Sequence, residues 1–538
     1  MTPEPTLPRR RFLRRAAALA AGFAAVPLAE ACAPIGPTSA PTPAPKAASP
    51  QPAAGQAPAA PKTGGRLRLV QTSDVAPREP HLRQDANAPI ALTVWDTLTR
   101  YDQSLKPQPG LAERWDWSSD FRTLTVKLRQ GVKFHSGREL TAEDVEFNIV
   151  RIRDPAVGSQ MRGASNQIKK IERPDPLTIT LGFDKPYLGV FDLFEALVIT
   201  DRETVGNLDQ GKVVGTGPFV WREWTPNEKL VLEKNPAYWQ SGAPSLERVE
   251  LTVISDVQAM AVQFEAGQQD LALKVSAQDF ERLRQDSKYQ SVIMDTGNSY
   301  FYLAADVSKP PLDKKEVRQA LNLAINRERF VQTAMSGISQ ATTLPWSQGS
   351  PAYDAVLDRS VRFDLERARA LLQQAGAGSG FEVPITYNQQ RTATVGKLVE
   401  ILQSDLGQLG VKLNAQTQEN TVFQRTLNER QFGGLFTHLH GFSNQTPVSL
   451  FLQAFPFRKD NASNFSSPEF NRLIDAMDGE TDEGKLKELY AAMNRLLLDE
   501  AFVVNVATNP SYYVARANVQ NVEYSLFDWW VLQRTAVS

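Results

Sequence analysis

Between Ala33 and Thr63 the chain passes through nine prolines and ten alanines, with Ser, Thr, Gln and Gly between them. A stretch of this composition cannot bury enough apolar surface to fold. Its prolines favour an extended polyproline conformation, a semi-rigid spacer that reaches on the order of 100 Å at most, at about 3.1 Å per residue. The spacer divides the chain. Whatever packs must be built from Gly64 onward, and whatever precedes it acts separately.

The preceding segment reads as an address. Arg9, Arg10, Arg11, Arg14 and Arg15 stand before an apolar run from Ala16 to Leu28. The run is too short and too rich in small residues for a permanent membrane-spanning helix. A basic region, a short apolar region and small residues beyond it describe an export signal. Arg9-Arg10-Arg11-Phe12-Leu13-Arg14 resembles the twin-arginine pattern, with an ordinary secretory signal as the alternative. Cys32 is the only cysteine. Leu28-Ala29-Glu30-Ala31-Cys32 resembles a bacterial lipobox, although Ala29 stands where Leu is usual. A lipid on Cys32 would hold the exported chain at the outer face of the cytoplasmic membrane, on the periplasmic or extracellular side.

Composition narrows the remaining function classes. The 538 residues correspond to two to four domains at roughly 100–200 residues each. Lys and Arg number 59 against 60 Asp and Glu, a net charge of −1. Such a balance excludes the bulk basic surface of a nucleic-acid binder. A single cysteine excludes a disulfide framework and a thiolate metal site. The four histidines, His81, His135, His438 and His440, leave little for a histidine-rich metal centre, and no cofactor is expected.

From Gly64 the pattern alternates between strand and helix. Arg66–Val70 and Leu124–Leu128 alternate with the period of a strand. Thr141 and Asp144 make a capping-box variant before a helix faced by Val145, Ile149 and Ile152 and stopped by Pro155. Asp313 and Glu316 repeat that logic before Val317. Asp364 caps a helix that Gly376 ends. Strand Phe381–Tyr387, helix Val395–Leu409 and strand Val411–Ala415 form a unit suited to parallel pairing. The body is mixed α and β, with no internal repeat.

Catalytic signatures are scarce. Gly206-x4-Gly211-Lys212 approaches a phosphate loop, but Val213 stands where Ser or Thr must meet magnesium. Gly376–Gly380 follows a helix and precedes a strand, the reverse of a dinucleotide loop. Glu143-Asp144 sits at a helix start, where the macrodipole favours carboxylates. His438 and His440 share one face of a strand and could touch a metal chelate, or be ordinary cleft histidines.

Several ordered motifs resemble one family. They run from Pro109-Gly110-Leu111-Ala112-Glu113-Arg114-Trp115 through Leu128–Gly137 to Leu140-Thr141-Ala142-Glu143-Asp144-Val145. Gly215–Phe219, Asn235–Trp239, Val317–Leu321 with Ala324–Arg327, and Phe363-Asp364 through Ala375-Gly376 follow in order. Together they resemble the extracytoplasmic solute-binding proteins of family 5, the oligopeptide-, dipeptide- and nickel-binding components of ABC importers. The resemblance covers roughly residues 64–538 and implies the periplasmic-binding-protein type II-like fold: α/β, two lobes around a cleft, an additional domain, and sheets flanked by helices. It implies domain I at 64–105, 212–305 and 511–538, domain II at 106–211 and domain III at 306–510. A hinge would close the lobes on solute, and the closed monomer would dock on a membrane permease and its ATPase.

In that family the peptide binders carry a W-x-A-D-Y-like segment followed by Asp-Pro, whose Asp pairs with the peptide amino terminus. By the resemblance, His440 stands for the Trp, Ser443 for the acid, and Thr446-Pro447 for Asp-Pro. Serine lacks the charge that strengthens a bond to an ammonium group. That substitution shifts the expected solute from a peptide toward a neutral or anionic molecule or a chelate. The ligand-binding candidates are Asp74, Asn298, Tyr300, Trp346, Asn388, His438, His440, Phe442 and Ser443. Trp346, after Pro345 in a loop-like stretch, is the foremost aromatic candidate; Tyr302, Trp529 and Trp530 stack on solute or pack a core. The solute would be a peptide, oligosaccharide or chelate; an exported hydrolase acting on oligosaccharide or peptide through carboxylate pairs, or a non-transport sensor of the same fold, are the alternative readings.

Overall fold

The alternating apolar segments of the body become strands of three sheets. The computed structural model describes residues 64–82, 84–388 and 393–538; Arg9, Arg10 and Cys32 lie outside them. Three two-stranded pairs apart, the strands of these sheets in chain order are β1 Arg66–Gln71, β2 Ala112–Trp117, β3 Thr123–Leu128, β4 Ile168–Asp175, β5 Thr178–Phe183, β6 Phe219–Thr225, β7 Lys229–Lys234 and β8 Arg248–Val253. They continue with β9 Leu271–Leu273, β10 Tyr289–Met294, β11 Tyr300–Ala305, β12 Phe381–Tyr387, β13 Val411–Thr417, β14 Leu435–His440, β15 Val503–Thr508 and β16 Ser511–Arg516.

A seven-stranded sheet has the order β10-β16-β9-β1-β8-β7-β6, with β1 parallel to β8 and β9. A four-stranded antiparallel sheet, β2-β3-β5-β4, lies within 106–211. These two sheets share a core in which Leu67, Leu69 and Val249 are continuous with Leu124, Val126 and Ile179. They make the first lobe. The second lobe is built on a five-stranded sheet, β13-β12-β14-β11-β15, with β12 parallel to β13 and β14.

Alternation along β11 decides what each face buries. Phe301, Leu303 and Ala305 enter a core that also contains Val70, Ala272 and Val514 of the first lobe's sheet. Tyr302 and Ala304 face the other way, into a core with Phe436, Phe451 and Leu497. One apolar core therefore runs through the join between lobes.

The helices start where the capping chemistry predicts, with one exception. In α1, Ala142–Arg151, the Thr141 N–H donates to Asp144 Oδ2 at 3.0 Å. Helix α2 spans Val190–Ala196. In α3, Leu365–Gln374, Asp364 Oδ1 accepts from the Arg367 N–H at 2.9 Å. Helix α4, Ala393–Gly407, links β12 to β13. Helix α5 spans Pro447–Gln453 and α6 Glu483–Glu500. The exception is Asp313: the helix there spans Lys315–Leu323, with Lys314 at the cap position and no side-chain cap bond.

The chain crosses between the two large sheets twice, at 295–299 and at 509–510. The crossings run side by side. β10 pairs antiparallel with β16, β11 pairs antiparallel with β15, and the Asn509 N–H donates to Ser299 O at 2.8 Å between them. The lobes are thus joined by a continuous two-stranded ribbon. Because β11 pairs inside the second sheet, the first crossing falls ahead of the expected domain boundary at 305. Gly297, at φ +65°, is required there, since a Cβ would overlap the side chain of Ser347.

Candidate functional site: the hinge cavity and the lobe clasp

Four strand ends converge beside the ribbon: the ends of β1, β9 and β10 and the start of β16. They enclose a cavity of about 70 Å3, lined among others by Gln71, Lys274, Asn298, Ser511, Asp528 and Trp529. Asp85 also lines it, and the Lys274 ammonium pairs with Asp85 Oδ2 at 3.1 Å.

Asp528 is placed by a tight turn. Its N–H donates to Ser525 O at 3.0 Å, and its φ is +61°. The left-handed region is tolerated by Asp better than by most residues. The carboxylate accepts from Thr296 Oγ1 at 2.7 Å, Ser511 Oγ at 2.8 Å and Asn298 Nδ2 at 3.3 Å. Thr296 and Asn298 lie on one crossing and Ser511 just beyond the other, so a single side chain holds both. Burial pushes the Asp528 carboxyl above its ordinary value, and its three donors oppose the shift.

The lobes meet again at Asp192 on α2. Its carboxylate accepts from Tyr101 Oη at 2.9 Å within the first lobe. Across the gap it accepts from the Thr446 N–H at 2.9 Å, Thr446 Oγ1 at 3.2 Å and Ser449 Oγ at 2.6 Å. A side chain of one lobe therefore caps helix α5 of the other. Burial raises the Asp192 carboxyl, against the pull of these donors. One helical turn on, Glu195 accepts from the Tyr101 N–H at 2.6 Å and faces Arg100 at 3.7 Å. Burial raises Glu195 to about 7. Lys185 pairs with Asp478 across the same gap, and Gly349 of the second lobe abuts the Gln103 carbonyl so closely that no Cβ would fit. This is a closed arrangement.

Of the nine expected ligand residues, Asn298 lines the hinge cavity. Phe442 borders a smaller recess between the lobes, with Met161, Leu193 and Gln445. Its φ of +72° is a strained conformation for a bulky residue. His440 is buried. Its Nε2 meets Asn505 Oδ1 at 2.6 Å, and its ring stacks on Tyr300 with centroids 5.4 Å apart. Burial lowers its pKa to about 4, so the ring is neutral at ordinary pH. Ser443 is fully buried, with Oγ 3.5 Å from His440 Nδ1 rather than on the cavity wall.

The other candidates are held by packing. His438 packs its ring against Phe423 at 4.8 Å. Trp346 is 1% exposed in the core, and its indole N–H donates to Asn494 Oδ1 at 2.7 Å. Asn388 is buried against Asn420 Oδ1 at 2.8 Å. Asp74 accepts from Trp224 Nε1 at 3.1 Å and the Asn227 N–H at 2.8 Å. Tyr302 and Trp530 are 1% exposed. Among the described residues, no three or more His, Cys, Asp or Glu side chains gather as a metal site would require.

Sequence reasoning missed Asp528 and Asp192. Asp528 carries little signal, a lone acid between Phe527 and Trp529. Asp192 and Glu195 carry more: two acids within the otherwise apolar run Val190–Ile199, where burial demands partners.

Two lobes joined by a paired ribbon, a cavity at the join and a clasp across the gap are the architecture of a solute-binding protein. The chain belongs to the bacterial extracellular solute-binding proteins, family 5, whose middle-region family model matches residues 106–461. Di/tripeptide-binding protein 1 of Pseudomonas aeruginosa is 25% identical over 475 residues, covering 81% of this chain and 87% of that protein. Heme-binding protein A of Haemophilus influenzae is 26% identical over 477 residues, covering 81% of this chain and 85% of that protein. In fold, the chain resembles the ABC transporter-associated periplasmic binding protein DppA from Helicobacter pylori in complex with peptide STSA. The TM-score is 0.71 at 23% identity, covering 88% of this chain and 98% of that one.

Proposed function

We propose that the protein is the exported, lipid-tethered receptor of an ABC importer, capturing a small peptide-like solute between its lobes and delivering it to the permease. The observation that carries this reading is a cavity at the ribbon joining two lobes that a cross-lobe clasp holds closed. Relatives that bind di- and tripeptides, heme and the peptide STSA set the range of solutes. The spacer 33–63 and Cys32 supply the tether; among the described residues no helix is long and apolar enough to cross a membrane. The receptor works as a monomer that needs no cofactor and no catalytic step, because neither lobe needs more than closure to hold a solute.

Native mass spectrometry of the full chain, before and after mild unfolding, tests the reading. A small molecule released on unfolding, together with a smaller radius of gyration for the loaded than for the stripped protein, is the expected result. Identical scattering curves with saturating solute would count against closure. Replacing Cys32 by Ser should release the chain from the membrane fraction; retention there would remove the lipid tether from the proposal.

A further inference from the structure

The charges around the hinge cavity do not balance. Asp528, Asp85 and Lys274 line it, and Lys274 is paired with Asp85. Among the described residues, the donors to Asp528 are neutral: two hydroxyls and an amide. Buried carboxylates elsewhere in this protein commonly take a guanidinium. Asp270 takes Arg68, Asp144 and Asp201 take Arg138, and Asp405 takes Arg329. Some are held by neutral donors as Asp528 is; Asp96 is held by Thr216, Tyr238 and Trp239, and Asp358 by Thr342, Thr343 and Leu344. Neither of these lines the cavity, whereas Asp528 does.

A carboxylate offers about four acceptor sites. Thr296, Ser511 and Asn298 occupy three, and the carboxylate borders open space with acceptor capacity left over. At a carboxylate that borders a cavity, a cationic group adds Coulombic attraction to the hydrogen bond that any donor would make, so it gains more there than a neutral one.

We infer that the hinge cavity receives the cationic end of the solute, an ammonium or guanidinium group, on the Asp528 carboxylate. The inference rests on the solute-receptor reading and names the class of solute. At about 70 Å3, the cavity is several times the roughly 10–15 Å3 that one water needs. That admits an end group, and the rest of the solute extends along the cleft. The position also explains how occupancy reaches the lobes: the donors to Asp528 stand on both strands of the ribbon, so the cation binds where the chain bends during closure.

The test offers the full chain a mixture of alanyl-alanine, lysine, agmatine and putrescine, each beside a counterpart with every amine acetylated and any guanidinium replaced by a urea, and reads the bound masses by native mass spectrometry. The expected result is retention of one or more of the cationic members, with at least about tenfold weaker binding of the acetylated partner. Asp528→Asn, which keeps the side-chain shape, should lose about the same factor for the same probe while its melting curve stays cooperative. Equal binding of an acetylated partner, or undiminished binding by Asp528→Asn, would overturn the cation assignment and leave the receptor intact. The acetylated pairs decide the matter on the unaltered protein even if the variant fails to fold. Binding of none of the eight probes would count against both the assignment and the peptide-like receptor reading.

Discussion

Asp192 and Asp528 are two carboxylates with the same chemistry and opposite employment. Asp192 spends its acceptors across the gap, on Thr446 and Ser449 of the other lobe. Asp528 spends three on the ribbon within reach of its own turn and borders the cavity with the rest. The difference teaches where a hinged receptor places affinity and where it places motion. A saturated carboxylate at the mouth sets how often the lobes part, whereas an incompletely saturated one at the hinge selects what they part for.

Breaking the clasp should give the largest effect. Asp192→Ala leaves the Thr446 N–H, the Ser449 hydroxyl and the Tyr101 hydroxyl without their acceptor, a loss of about 2–4 kcal/mol from the closed form. Small-angle scattering of the solute-loaded variant should show the lobes farther apart than in the loaded parent; an unchanged radius of gyration would mean that the clasp is not what holds them.

Glu195, one turn away, sharpens the comparison through pH. Burial lifts its carboxyl from 4.5 to about 7, so the folded protein binds that proton more tightly than the unfolded chain. The stability Glu195 costs above pH 7 is recovered as the pH falls toward 4.5. Glu195→Gln should therefore be more stable than the parent at pH 8, by on the order of 2–3 kcal/mol, and lose that advantage near pH 4.5. His81, His135 and His440, each held down to about 4 by burial, act in the opposite sense over part of this window. The informative quantity is thus the parent-minus-variant difference in urea unfolding at the two pH values. A difference that does not change with pH would refute the raised carboxyl.

Gly349→Val places a side chain against the Gln103 carbonyl only when the lobes are closed. It should oppose closure by about 1–3 kcal/mol, opening the scattering envelope while lowering the melting temperature less than Asp192→Ala does. Asp528→Asn, the gentlest change, should alter the melting of the empty protein by less than about 1 kcal/mol, since an amide oxygen in the place of Oδ2 still accepts from Ser511 and Asn298 while the amide NH2 donates to the Thr296 hydroxyl. Its whole effect belongs to the cationic probe. If the empty protein collapsed instead, Asp528 would be a stitch of the ribbon and nothing more.

Local chemistry was legible where it is local. The Asp364 cap and the strand–helix–strand unit at 381–417 stand where capping and periodicity place them. The boundary at 305 was not legible, because β11 is buried along its whole length and nothing in Tyr300–Ala305 says which sheet it joins. Partner choice is a long-range fact. Trp346 looked available because a loop-like stretch after a proline suggests exposure, yet Asn494, far along the chain, supplies the acceptor that lets the indole sink into the core. The resemblance put Ser443 where the family's acid stands and so shifted the expected solute away from amines. The carboxylate on the cavity wall comes instead from a turn near the chain's end, which no spacing of motifs ties to Ser443.

The ribbon has a kinetic consequence. Since the β10–β16 ladder lies within one sheet and the β11–β15 ladder within the other, moving one sheet against the other breaks neither ladder, which leaves the rim contacts to set the waiting time for solute to leave. Asp192, the Lys185–Asp478 pair and the Gly349 contact are therefore the places to lengthen or shorten residence, leaving the choice of solute untouched at the other end of the cleft.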